Sequence, residues 1–289
     1  MPYFLIAVSN ILGGSTYAVT TAALKGFPAQ DLMLLRMALC AALFVPMAWL
    51  GRRRLAGATR GDWARLWAVG LFGYALPLAL GTYGVKLSSA TTASLLVGIE
   101  PVTIVLLSAV FLGEALTGLK VLSLVLGVTG AMFIAFQGFP SLSGVFTDRL
   151  KGDLILATHG SCWALYSVLG KSALKRVDPL DFTAVTSIIG FAGVALWAAP
   201  GTTPSAWAAV PPSAWLATVY LAAAGGFLAV ILWNVALRQV EASKVANFIF
   251  LQPVVGVLLG VGLQGDPLTA WSAAGGALVL GGMYAASRA

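Results

Sequence analysis

The chain of 289 residues is 59% hydrophobic and only 9% charged, with a mean hydropathy of +0.92. A soluble domain carries about 25% charged residues, so a water-facing surface cannot be built here and lipid must cover most of the outside. The net charge of +7 does not point to nucleic acid, because the bases sit in short gaps between apolar runs rather than in a patch among aromatics.

Crossing about 30 Å of hydrocarbon takes roughly 20 mainly apolar residues. Ten such runs are legible, at 3–23, 31–50, 64–83, 90–112, 118–137, 152–172, 180–199, 213–236, 243–263 and 268–287. The predicted architecture is an all-α integral membrane protein with nothing left over for a soluble domain. Met1-Pro2-Tyr3-Phe4 has no basic region ahead of the first apolar run, which therefore reads as a first span rather than a cleaved leader. The connections are short, and the longest, around 138–151 and 200–212, carry Gly, Pro and Ser as loops should. Cys40 and Cys162 fall inside apolar stretches and read as small buried hydrophobes. No disulfide, metal or cofactor is expected from them.

Orientation follows from the bases. With the N-terminus in the cytoplasm, 12 of the 17 Lys and Arg lie inside, Arg52, Arg53, Arg54, Arg60 and Arg65 foremost. Both termini are expected in the cytoplasm, and the Arg52-Arg53-Arg54 cluster is expected to fix topology rather than to bind substrate.

The strongest signal is self-similarity. Lys86, Ala90, Thr91, Glu100-Pro101 and Gly113-Glu114-Ala115-Leu116-Thr117 recur, 152 positions on, as Arg238, Ala242, Ser243, Gln252-Pro253 and Gly265-Asp266-Pro267-Leu268-Thr269. Gly130 likewise matches Gly282, and Lys25 through Pro28 matches Arg176 through Pro179 at an offset of 151. The chain divides into residues 1–138 and residues 139–289, each with five spans. An odd number per unit makes the second enter the membrane from the opposite side. Inverted repeats build two related gates with a site near the midplane between them, so a carrier working by alternating access is the function predicted.

Ten spans in two halves, the helix-4 and helix-9 prolines, the two Gly-acid-x-Leu-Thr tokens, Gly127 and Gly130, and Arg36 in Leu35-Arg36-Met37 resemble the drug/metabolite transporter superfamily, and within it the EamA-type exporters. The chain departs from that pattern at Pro267 and in lacking an Arg in helix 7 to match Arg36. It is most similar to the YddG-type aromatic amino-acid exporters. The resemblance implies a multi-pass protein of the bacterial inner membrane, with helices 3, 4, 8 and 9 as gates around a central cavity, exporting neutral or aromatic amino acids. The alternative is a multidrug, organic-cation or other metabolite exporter of the same fold. The partners implied are a small-molecule substrate, protons and the lipid bilayer, in a monomer or a homodimer.

Candidate residues follow. Glu100, mid-helix, costs roughly 2.5–3.5 kcal/mol to insert if charged and unpaired. It is either a proton-coupling or substrate-amine site, or a neutral carboxyl bonded to backbone that Pro101 frees. Gln252-Pro253 repeats the geometry without the charge, mainly as structure. His159, Trp163 and Tyr166 share one face of helix 6 at i, i+4 and i+7, and would wall an aromatic side chain or hold an organic cation. Packing aromatics and a solvated His are the plainer alternatives. Tyr74 and Tyr83 in helix 3, Trp233 and Asn234 in helix 8, and Asn247 in helix 9 are polar or amphipathic residues on the gate helices, with helix–helix hydrogen bonding as the competing role. Asn10, with Ser9, corresponds to Ser161 and Gly160 of helix 6 and is expected at the same cavity. Glu114 and Asp266 are expected to cap the starts of helices 5 and 10. Gly256 and Gly260 are expected at a close helix contact. An intramembrane hydrolase would need a Ser-His pair, paired membrane aspartates or His-Glu-x-x-His. A single His and none of these motifs disfavour that chemistry, and a scaffold would not need polar residues in inverted halves.

Overall fold

A computed structural model describes residues 1–87, 96, 98–136, 150–259 and 269–289. The expected boundary at 138, the connection up to 149, the repeat tokens at 88–95 and 265–268, and Gly260 lie outside the described residues. What is described is helical, without a strand. The helices in chain order are α1 Pro2–Leu24, α2 Ala29–Leu55, α3 Arg60–Leu87, α4 Ile99–Leu112, α5 Gly118–Phe136, α6 Leu150–Ala173, α7 Pro179–Ala198, α8 Pro212–Gln239, α9 Ala242–Leu259 and α10 Ala270–Arg288. The stretches Pro2–Leu24, Ala29–Leu55, Arg60–Gly84, Pro179–Gly201 and Pro212–Gln239 are long and apolar enough to cross a bilayer, and Ile99–Leu112 and Gly118–Ile134 are shorter apolar helices.

Local chemistry sets the ends. Thr59 and Asp62 form a reciprocal capping box at the start of α3, Asp178 caps α7 through Leu180 N at 3.0 Å, and Thr269 caps α10 through Ser272 N at 3.1 Å. Four helices depart from the uniform spans expected. α3 passes through a π-helical segment at Val69–Ala75, and α8 through another at Leu221–Leu228, each holding two glycines; α4 ends in a third, Ser108–Leu112. α9 tightens into a 3-10 turn at Asn247–Phe250 just ahead of Pro253, which can give no amide hydrogen to the carbonyl four residues back. The expected loop at 200–212 instead carries short 3-10 turns, Ala199–Gly201 and Pro204–Ala209.

Large apolar side chains face outward all round, including Phe4, Trp49, Phe72, Val110, Leu196 and Leu216. A water-soluble monomer does not display so much, and here they are the lipid-facing surface. Polar residues are buried instead: Asp31, Asp181, Thr183, Asn234 and Asn247 are almost without exposure. α1 packs on α8 and α9, α6 on α3 and α4, α2 on α7, and α5 on α10. The α5–α10 crossing is so close that a Cβ on Gly130 would lie 2.5 Å from the Gly275 carbonyl, and one on Gly275 2.5 Å from that of Gly130. α2 and α7 run antiparallel and hold each other at both ends. Asp181 in the first turn of α7 takes two 2.7 Å bonds from Arg54 at the end of α2. Asp31 in the first turn of α2 accepts from Thr203 N, Thr203 Oγ1 and Trp207 Nε1, just past α7.

Candidate functional site

A polar cavity sits at the centre of this apolar bundle. Its empty volume, open mouth included, is about 1010 Å³, and α1, α2, α3, α4, α6, α8 and α9 line it. Eight of the residues expected at the site face it: Asn10, Tyr74, Glu100, His159, Trp163, Tyr166, Trp233 and Gln252.

The α6 aromatics form one continuous part of the wall. Trp163 meets Tyr166 edge-on at 5.3 Å between centroids, Tyr74 at 6.0 Å and His159 at 6.4 Å. His159 is not a solvated residue at a helix end. Its Nδ1 lies 2.7 Å from the Pro77 carbonyl, and its ring occupies the space a side chain on Gly81 would fill. A carbonyl only accepts, so the proton is on Nδ1, and in the neutral ring Nε2 is an acceptor. The next residue, Gly160, lets Glu100 come against α6, with Glu100 N 3.4 Å from where a Cβ would stand. Across the cavity, Gln252 donates to Asn10 Oδ1 at 2.9 Å, and Asn10 donates to the Ile6 carbonyl at 2.9 Å. Ser9, also in the wall, donates to the Ala229 carbonyl at 2.7 Å.

Five expected residues are placed elsewhere. Asn234 lies behind the wall, donating to Tyr166 Oη at 2.6 Å and Thr183 Oγ1 at 2.8 Å. Its amide orients the tyrosine and is spent on packing. Asn247 is buried, and its amide nitrogen is turned back onto the Ser243 carbonyl at 3.0 Å. Tyr83 stacks edge-on with Trp197 at 5.9 Å. Pro101 and Pro253 are buried in α4 and α9 behind the polar lining. Ser161, the counterpart of Asn10, is likewise not in the wall and bonds to the Ala157 carbonyl. Sequence reasoning missed Tyr17, Thr16, Thr20, Thr82 and Ser167, which also face the cavity, and treated Arg36 as a family token when it too is in the wall.

The elements α4 and α5 are tied to α8 and α9 by a set of polar contacts. Gly113 takes the left-handed conformation (φ 68) that a side chain disfavours and ends α4. Glu114 then caps α9, accepting from Ala242 N at 2.8 Å, Ser243 N at 2.9 Å and Ser243 Oγ. It was expected to cap α5, but the turn at Gly113 aims it across the interface; Asp266, its expected counterpart, lies outside the described residues. Beside it the buried Lys120 pairs with Glu241 at 2.7 Å and donates to the Ala115 carbonyl at 2.9 Å. Lys171 donates to the Leu237 and Val240 carbonyls. The hydrogen bond from Lys120 holds the Glu241 carboxyl below the usual carboxylate range, with the nearby Lys244 and Lys171 charges adding to it.

An apolar bundle around a polar chamber defines the class: a membrane transporter. The chain matches the EamA-like transporter family over residues 1–136 and 150–288, and belongs to that family. Among its relatives, the uncharacterized transporter YyaM of Bacillus subtilis is 30% identical over 76% of this chain and 70% of that protein. An uncharacterized transporter of Archaeoglobus fulgidus is 26% identical over 98% of this chain and 96% of its own length. A probable terminal-alkyne amino-acid exporter of Streptantibioticus cattleyicolor is 26% identical over 98% of this chain and 92% of that protein. A crystal structure shares the fold with a TM-score of 0.79 at 24% identity, covering 99% of this chain and 96% of its own.

Proposed function

We propose that the protein exports neutral or aromatic amino acids across a bacterial inner membrane, by alternating access to the central cavity. The observation that carries this is the partly exposed Trp163 ring, backed by the buried Tyr74 and Tyr166 and set beside polar groups of the cavity wall. One relative is named as an amino-acid exporter, which supports the substrate class.

Ten spans in two inverted units, 1–138 and 139–289, with both termini cytoplasmic, are part of the proposal. The packing supports it: α1 on α8 and α9 mirrors α6 on α3 and α4, and α2–α7 and α5–α10 are each their own mirror images. Gly130 against Gly275 has its counterpart in Gly282 against Ser123, each residue 152 positions from its equivalent. The π segments of α3 and α8 fall 152 positions apart as well. α3–α4 and α8–α9 then form the two gates, bending at Pro101 and Pro253, and the Glu114–Ser243 end is the closed one. Glu100 exchanges protons with the substrate's passage.

Purified protein in liposomes tests transport: saturable counterflow of labelled phenylalanine is expected, and its absence removes the reading. An imposed proton gradient should drive accumulation, and a flat response removes Glu100 from coupling. Trp163→Ala should weaken phenylalanine several-fold more than alanine; equal weakening takes Trp163 out of the site. For topology, cysteines at Lys25 and Arg176 should label from opposite sides of the membrane.

A further inference from the structure

The cavity wall holds two ionisable side chains, Arg36 on α2 and Glu100 on α4. They do not neutralise one another. Among the described residues Arg36 donates no hydrogen bond and neither side chain enters an ion pair. Asp181 and Lys120, also buried among the described residues, are by contrast paired with Arg54 and Glu241. A guanidinium cannot shed its proton, and hydrocarbon does not solvate it. An unmatched one therefore belongs to something that enters the chamber.

The chemistry of each pole says what that is. The five donors of Arg36 form a planar fork that fits a carboxylate with two parallel bonds. Arg36 stands beside Tyr74 and Cys40, whose own polar atoms are already engaged with each other at 3.4 Å and, for Tyr74, with the Gly226 carbonyl. Its fork is left for the chamber. The Glu100 carboxyl, against Gly160, and the Nε2 of His159, next along α6, are acceptors when the ring is neutral. An ammonium, with three donors and no acceptor, is complementary to that set. Trp163 stands beside His159, with its ring still partly open to the cavity.

We infer that Arg36 holds the carboxylate and Glu100 the ammonium of one zwitterionic α-amino acid, with the side chain laid against Trp163. This rests on the amino-acid reading above and sharpens it. Solutes with a single charge leave one pole uncompensated, so organic cations and simple carboxylates are selected against. The zwitterion leaves the net charge of the loaded cavity unchanged, and pairing at both ends offsets part of the cost of taking its charges out of water.

The test uses the full chain in liposomes, with counterflow of labelled phenylalanine competed by phenylalanine, phenethylamine or 3-phenylpropanoate, three solutes that share the ring. On the unaltered protein, phenylalanine should compete at least tenfold better than either analogue. Arg36→Gln should lower competition by phenylalanine at least tenfold and that by phenethylamine less than twofold. Glu100→Gln should do the converse against 3-phenylpropanoate. Arg36→Lys should recover only part, since it restores charge without the fork. If phenethylamine matches phenylalanine on the unaltered protein, the inference is overturned while the exporter reading stands. If Arg36→Gln weakens both equally, Arg36 is structural and the inference is again overturned. Transport of other solutes but of no amino acid would remove both. The competition panel on the unaltered protein can overturn the inference even if a variant does not fold.

Discussion

Asn234 shows how one side chain can be placed correctly on a helix and wrongly in the molecule. It falls on α8 one residue from Trp233, which lines the cavity, yet its amide lies on the far side holding the hydroxyls of Tyr166 and Thr183. Asn234→Ala strands both hydroxyls without a donor, a loss of roughly 1–3 kcal/mol for buried polar groups. A lower melting temperature of the detergent-solubilised protein is expected, and no shift would show that the network carries no net stability. Gly130 makes a sharper case. Any side chain there meets the Gly275 backbone, which cannot move aside as a flexible side chain would. Gly130→Val should cost about 1–3 kcal/mol of overpacking, while Gly118→Val, with open space around it, should leave the melting temperature near its original value.

At the scale of elements, the contact between α4–α5 and α8–α9 depends on charge, and so on pH. The Glu241 carboxyl sits below its ordinary value of 4.5 because Lys120 bonds to its ionised form. A group depressed on folding stabilises the fold above its unfolded value, and that contribution is lost as the pH falls through the folded value. Glu241 is 48% exposed, so the gain at neutral pH is small, roughly 0.2–1 kcal/mol. Glu241→Gln should therefore lower the melting temperature at neutral pH. The difference from the original chain should shrink as the pH falls below 4.5 and through the lowered value of the folded protein; a difference independent of pH would mean that packing, not the ion pair, is responsible. The bends of α3, α8 and α9 were not legible beforehand. Val69–Ala75 and Leu221–Leu228 look like any glycine-bearing apolar stretch, and whether such a stretch widens into a π turn depends on the helix pressed against it.

For the molecule as a whole, Arg54 is the instructive residue. Its place in a run of three arginines reads as topology, and nothing local reveals that it reaches 127 positions along the chain to the buried Asp181. Asp181→Asn keeps the shape but gives up the charge that holds the guanidinium. The α2–α7 clasp should loosen, seen as a lower melting temperature that added salt does not reproduce in the original chain.

The sequence by itself determined that lipid is the solvent and that the chain is helical, because hydrocarbon offers backbone amides no partner and each segment must satisfy its own. It also marked Glu100, His159, Trp163 and Tyr166 as chemistry, since charge and shared helical faces are local properties. Only the tertiary structure decided which polar side chains meet in the chamber. Without a hydrophobic drive between helices in lipid, their choice of neighbours rests on close approaches at small residues and on a few buried polar bonds. The partners in those contacts, Gly130 with Gly275, Gln252 with Asn10, Glu114 with Ser243, lie more than a hundred residues apart. Arg36 shares a cavity with Glu100 for that reason, and no pattern along the chain could have said so.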